Sequence, residues 1–328
     1  MTYCKISLKT VPKASKYRDY QDTAFKSLFG SLKVNPVLEL SRTAFKQASV
    51  RHITGLSISG MQQKLSMAIT ENHQLDLVTR NGQYIIKPSP EEFPNAAENE
   101  HTAMLTGQLL GIRTAGCGLI SFADGELAYI TRRFDRPDNA TKIHQEDLVQ
   151  GFDMPGDRKY DKSYEAAGVL IGAMTGGKQT VVLEYIHRIM HAYLVGNDDM
   201  HLKNISLQKL PNNTTALYDQ LTPNYDCLFA GAFENRNEVG FLALDLLDDG
   251  FSNQYERHGF YTGCDFIELA NRLDIPAKPI QSFVKNTARK LPQLIETIRH
   301  SYMPDEQKTS AEKIVIDRLR ALSIQAGV

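Results

Sequence analysis

At 328 residues, with 42% hydrophobic and 23% charged side chains, the chain can bury one large core or two ordinary ones without a disulfide or a partner to reach stable size. The hydrophobic share excludes a disordered tail, and a net charge of -1 excludes a surface tuned throughout to nucleic acid. Cys4, Cys117, Cys227 and Cys264 match no metal-ligand spacing and no disulfide framework, so a reducing, cytoplasmic setting is expected. No apolar run reaches the length of a membrane span, and the N-terminus lacks the core of a signal peptide, so no membrane association is expected.

From Ile53 to about Asp135 the sequence reads as short strands. "SISGMQQKLSM" places Ser57, Ile58, Ser59 and Gly60 in a small loop ahead of a first strand, "KLSMAIT". "LDLVT" follows after polar "ENHQ", and the Asn81-Gly82 pair marks a tight turn into "QYIIKPS", so a meander is expected, with Lys87 closing its last apolar run. In "NAAENEHTAMLTGQLLGI" the residues Ala103, Leu105, Leu109 and Leu110 recur at helical spacing, and Gly111 stops the helix. Two more strands, "CGLISFA" and "ELAYITRRF", turn at Asp124 and Gly125. Near residues 136–144 the character changes to helices, among them "SYEAAGVLIGAM", "VVLEYIHRIMHAYLVG", "DFIELANRL", "PIQSFVKNTARKL" and "AEKIVIDRLRAL". The expected fold is α+β with two lobes: residues 1–140 strand-rich with a serine-containing phosphate loop, and residues 141–328 helical with catalytic and metal-binding loops. At the coarsest level this is the plan of a protein kinase.

The densest polar stretch is "VGNDDMHLKNISL", where Asp199, His201, Lys203 and Asn204 crowd behind an apolar helix; farther on, "LTPNYDCLF" presents Asp226 inside an apolar turn. Phosphoryl transfer needs these residue types. A carboxylate orients the attacking hydroxyl and takes its proton, a cation offsets charge on the phosphate, and oxygen ligands hold magnesium. Asp199 suits the first role, Lys203 the second, and Asn204 with Asp226 the third. The competing reading is a polar turn that caps the preceding helix through Asn197 or Asp198. "GAMTGGKQT" nearly matches a nucleotide-binding P-loop, but Gln179 stands where a magnesium-binding hydroxyl is required and the segment follows a helix, so a turn between helices is expected. His187 and His191 share a helix face without a third ligand nearby, which favours packing over metal.

These segments, with "ENEHTAMLTGQLLGI", "YITRRFDRP" and "IHQEDLVQGFDMP", resemble in order and spacing the HipA-type serine/threonine kinases, toxins of bacterial toxin-antitoxin systems. The short length and the Ser-Ile-Ser loop look most like the HipT branch. The resemblance implies ATP and Mg2+ as cofactors. It implies that Ser57, Ile58, Ser59 and Gly60 cover the ATP phosphates, that Lys87 holds them with Glu100 as its partner, and that Arg132 and Phe134 sit at the hinge reading adenine, largely through backbone. The family carries an acidic residue at the position of Arg132. Gln145 would complete the nucleotide pocket, and His201 and Lys203 would serve both ATP binding and catalysis.

The resemblance further implies autophosphorylation at Ser57, with Ser59 a second position; the added charge of about -1.5 to -2 would oppose bound ATP. Its implied partners are a small HipS-like protein as antitoxin, a HipB-like helix-turn-helix DNA-binding protein, through which DNA is met only indirectly, and an aminoacyl-tRNA synthetase as substrate, tryptophanyl favoured over glutamyl. The alternative is a corepressor scaffold in which catalysis is minor.

Overall fold

Short apolar runs buried along most of their length set the first sheet, in a structure that is a computed structural model describing residues 2–52, 64–138, 141–233 and 240–324. Two units divide the chain: Met1–Leu105 with Ala115–Lys142 and Arg299–Pro304, and Thr106–Thr114 with Ile143–Ile298 and Asp305–Val328.

The first unit opens with helices α1 (Asp22–Phe29) and α2 (Arg42–His52), followed by strands β1 (Leu65–Ile69), β2 (Leu75–Leu77) and β3 (Tyr84–Pro88), helix α3 (Ala96–Leu110), whose residues from Thr106 on belong to the second unit, and strands β4 (Cys117–Ser121) and β5 (Leu127–Arg132). The antiparallel sheet runs in the order β2-β1-β3-β5-β4. The expected meander is therefore corrected: β3 pairs with β1, not with β2. The register Leu65↔Ile86 and Met67↔Tyr84 sets four buried side chains opposite one another, whereas β2 has only Leu75 fully buried. Gly82 permits this crossing, because a Cβ there would lie 2.0 Å from Ser66 Oγ. Phe25, Phe29, Phe45, Met67, Ile86, Phe122 and Ile130 join these strands and both early helices in one core. Each such side chain contributes roughly 1.5–3 kcal/mol on burial.

The outer edge of β4 is covered from the N-terminus: Leu119 N–H donates to Lys5 O at 2.7 Å and Leu38 N–H to Ser121 O at 2.8 Å. Tyr302 donates its hydroxyl to Tyr3 O at 2.5 Å, and Tyr3 stacks on His300 with centroids 3.8 Å apart.

The second unit contains strand β6 (Gln145–Asp147), helices α4 (Leu148–Gly151), α5 (Tyr164–Met174) and α6 (Gln179–Val195), strands β7 (Ser206–Gln208) and β8 (Gln220–Leu221), and helices α7 (Asn253–His258), α8 (Gly263–Arg272), α9 (Ala277–Arg299) and α10 (Asp305–Leu322). Sequence periodicity anticipates helices here but not the small antiparallel sheet β6-β7-β8, whose strands are too short to show a period of two. Helix α6 buries twelve residues, from Val181 to Val195, as a helix apolar around most of its surface must. The turn from α5 into α6 passes through Gly176 and Gly177, with φ of +68° and +78°, so the P-loop-like segment is a turn between helices. Gly196, at φ +66°, ends α6 and donates to Ala192 O and Tyr193 O. That stop sets the start of the polar loop that follows. Among the described residues no helix is long and apolar enough to cross a membrane.

Candidate active site

Each unit positions a different part of the expected chemistry. In the first, Lys87 sits next to the end of β3 with its side chain 5% exposed, and its ammonium lies 2.6 Å from Glu100 Oε1 on α3, a side chain with no exposure. The ammonium also stands 5.4 Å above the ring of Tyr129, which faces Lys87 across the β3-β5 register. Burying two charges costs several kcal/mol per ion, so the pair is weak as a stability device. What it does secure is the placement of one ammonium.

Arg132 ends β5 with its side chain exposed and its guanidinium donating to Pro137 O at 3.3 Å. The backbone amides of Arg132 and Arg133 donate to Gly116 O and Gln83 O, both at 2.8 Å, so those two amides are spent within the unit. Phe134 is half-buried, beside Asp135, whose carboxylate accepts from Arg133 Nη2 at 2.6 Å and Nε at 2.9 Å. Ser57, Ile58, Ser59 and Gly60 lie outside the described residues.

In the second unit the loop after α6 folds back on itself. Asn204 Nδ2 donates to Asp199 O at 2.8 Å, His201 N–H donates to the same carbonyl at 2.8 Å, and Asn204 N–H donates to His201 O at 2.9 Å. Asp199 keeps a side chain 46% exposed, with Oδ1 3.6 Å from His201 Nε2. The loop is thus more than a helix cap: its backbone is fixed and its carboxylate faces solvent. Burial pushes His201 below the ordinary histidine value, and Lys159 adds to that push against the pull of Asp199. Gln145 is exposed on β6, opposite Gln208.

Asp226 stands at φ +59°, a left-handed conformation that aspartate tolerates better than most residues. The approach to it is clamped. Arg188 Nη2 donates to Thr222 O at 2.5 Å, Arg113 Nη2 to Leu221 O at 2.5 Å, and Asn224 N–H to Arg113 O at 2.7 Å. Because Asn204 spends its amide nitrogen on Asp199, its Oδ1 is the atom left to ligate. An amide oxygen and one carboxylate are hard donors of the kind magnesium takes beside phosphate oxygens and water. No cluster of three or more His, Cys, Asp or Glu able to hold a metal occurs among the described residues. His191 is packed instead: Nε2 lies 3.0 Å from Thr106 Oγ1.

Sequence reasoning missed Lys159 and Tyr160, in the segment between α4 and α5. Lys159 Nζ lies 2.8 Å from His201 Nε2, and Tyr160 donates its hydroxyl to Asp199 Oδ1 at 3.1 Å. It also missed Arg113 and Arg188. The only sequence signal is the cation-rich "DRKYDKS", which carries no period and no motif.

The HipA-like C-terminal domain family matches residues 56–295. A Haemophilus influenzae protein is 32% identical across 99% of this chain and 98% of its own length. Two Sinorhizobium fredii proteins follow: Y4dM, 32% identical over 52% of this chain and 44% of its own, and Y4mE, 28% identical over 76% and 59%. All three carry names beginning "Putative kinase". Among solved structures, HipA of Shewanella oneidensis, in a toxin-antitoxin complex with HipB and operator DNA, matches with TM-score 0.67 and 17% identity over 97% of this chain and 77% of that one. The Helicobacter pylori proinflammatory kinase CtkA matches with TM-score 0.54 and 14% identity over 82% and 92%. At these identities the two structures speak for the fold alone.

Proposed function

The chain belongs to the family of the HipA-like C-terminal domain, and from that premise we propose that it is an ATP- and magnesium-dependent serine/threonine kinase, the toxin of a toxin-antitoxin system. The observation that carries this reading is the Asp199 loop, in which Asn204 fixes the backbone of Asp199 while its carboxylate stays accessible.

Asp199 accepts the proton of a serine or threonine hydroxyl as that oxygen attacks the γ-phosphorus of ATP and the bond to ADP breaks. Lys203 offsets charge on the transferred phosphoryl group. Lys87, oriented by Glu100, holds ATP phosphates; Arg132, Phe134 and Gln145 belong to adenine and nucleotide recognition, with side-chain or carbonyl contacts favoured at Arg132 because its amide is spent. Asn204 Oδ1 and the Asp226 carboxylate would hold magnesium, which would supply positive charge against the phosphates.

The substrate we favour is an aminoacyl-tRNA synthetase, tryptophanyl before glutamyl, on the likeness to the HipT branch. Ser57 and Ser59 would be autophosphorylated to switch the kinase off, a small HipS-like protein would neutralise it, and a HipB-like partner would carry it to DNA. The last point is supported by the Shewanella HipA complex with HipB and operator DNA, which also keeps the corepressor-scaffold reading as the second one.

The test is transfer of label from ATP with magnesium to a panel of purified synthetases. One labelled synthetase, with transfer lowered about 10²–10⁴-fold in Asp199→Asn, is the expected result. Label on the protein alone reopens the substrate. No label anywhere, starting from unphosphorylated Ser57 and Ser59, overturns the kinase reading in favour of the scaffold.

A further inference from the structure

One segment covers the whole catalytic loop without a role assigned to it. Between α4 and α5 the chain meets Lys203, His201 and Asp199 in turn. Tyr160 donates to Asp199 Oδ1 at 3.1 Å, Lys159 Nζ meets His201 Nε2 at 2.8 Å, and a Cβ on Gly156 would lie 2.7 Å from Lys203 Nζ. Backbone ties the two stretches together: Leu202 N–H donates to Lys159 O at 3.2 Å, and Tyr164, where α5 begins, donates its hydroxyl to Met200 O at 2.9 Å.

The donor inventory fixes the proton on His201. A lysine ammonium has three donors and no acceptor, so Nε2 is the accepting nitrogen and a neutral ring carries its hydrogen on Nδ1. Nδ1 is buried and, among the described residues, has no hydrogen-bond partner. Asp199 Oδ1, 3.6 Å from Nε2, then faces a nitrogen without a proton. The aspartate and the histidine are therefore not a proton relay. The hydrogen bond to the carboxylate comes from Tyr160, which takes Oδ1 and leaves Oδ2 for the acceptor hydroxyl.

We infer that Lys159 and Tyr160 are positioning residues for phosphoryl transfer: Lys159 fixes the His201 ring with its hydrogen on Nδ1, turned away from the carboxylate, and Tyr160 sets the face of Asp199 that receives the substrate hydroxyl. This rests on the kinase reading above and deepens it. Asp199 acts as a base by itself, with no proton shared from His201. Tyr160, 48% exposed beside the base, also forms part of the surface an incoming serine or threonine must pass.

Two measurements test the inference on the full chain. In the first, ¹⁵N-histidine spectra are recorded for the wild type, for Lys159→Met and for His201→Gln, the last to assign the His201 signal. A wild-type Nδ1–H ring that is lost or mixed in Lys159→Met supports the assignment, and a wild-type Nε2–H ring overturns it. In the second, steady-state ATP turnover is followed for Tyr160→Phe, which removes one oxygen and keeps the ring. A kcat lowered about tenfold with KM for ATP unchanged is expected; an active wild type matched by Tyr160→Phe, or a change confined to KM, overturns the role of Tyr160. A wild type with no turnover of any kind overturns the kinase reading instead, and the spectra still decide the role of Lys159.

Discussion

Gly156 shows how little room the loop of Asp199 and Lys203 leaves. A methyl group there would press on the Lys203 ammonium, the mobile end of a flexible side chain, so Gly156→Ala should displace that charge without unfolding the unit. We expect turnover lowered about tenfold to a hundredfold and an unchanged melting temperature; normal turnover would mean Lys203 does not act from this position. Asp199, His201, Lys203 and Asn204 stood out in sequence by their density beside an apolar helix, and the structure gathers them in one loop. Lys159 and Tyr160 did not. They touch side chains about forty positions away, and a single chain of letters carries no sign of that proximity. The Lys87–Glu100 pair lay between these cases: it came from family likeness, and the contact at 2.6 Å needed coordinates.

Element boundaries were clearest where burial is periodic. The strands β1, β3, β4 and β5 stand where short apolar runs between turn residues placed them, and α3, α5, α6, α8, α9 and α10 follow helical spacing. Strand order was misread because Asn81-Gly82 has the letters of a hairpin turn, whereas Gly82 is needed for its closeness to Ser66. Helices α1 and α2 went unread, since α1 spans eight residues and α2 is mostly polar. Arg188 on α6 belongs to this scale as well. Its side chain is 2% exposed, and it anchors the strand that delivers Asp226. Arg188→Leu should destabilise the chain by about 2–4 kcal/mol in urea unfolding, because Thr222 O loses a buried donor. It should also raise the magnesium concentration needed for half-maximal turnover. Unchanged unfolding and an unchanged magnesium response would refute the clamp.

Across the whole molecule, His101 in the first unit and His191 in the second are wholly buried, and burial depresses both to about 4. In the unfolded chain each titrates near about 6.5. Between those values the unfolded state binds the extra protons, so stability is full above about 6.5 and is lost as pH falls toward 4. The loss amounts to a few kcal/mol for each histidine, an order-of-magnitude figure. Urea midpoints measured from pH 7 to 4.5 should fall with a slope approaching about two protons; a flat profile from 7 to 5 would contradict the burial of these rings. A different consequence follows from the contacts of Tyr3 with His300 and Tyr302. A ribosome releases Tyr3 about three hundred residues before Tyr302, so the nascent first unit cannot finish its own closure until that much later segment has emerged. Chains truncated before residue 299 should leave that unit open to protease, however long the enzyme waits on the stalled product.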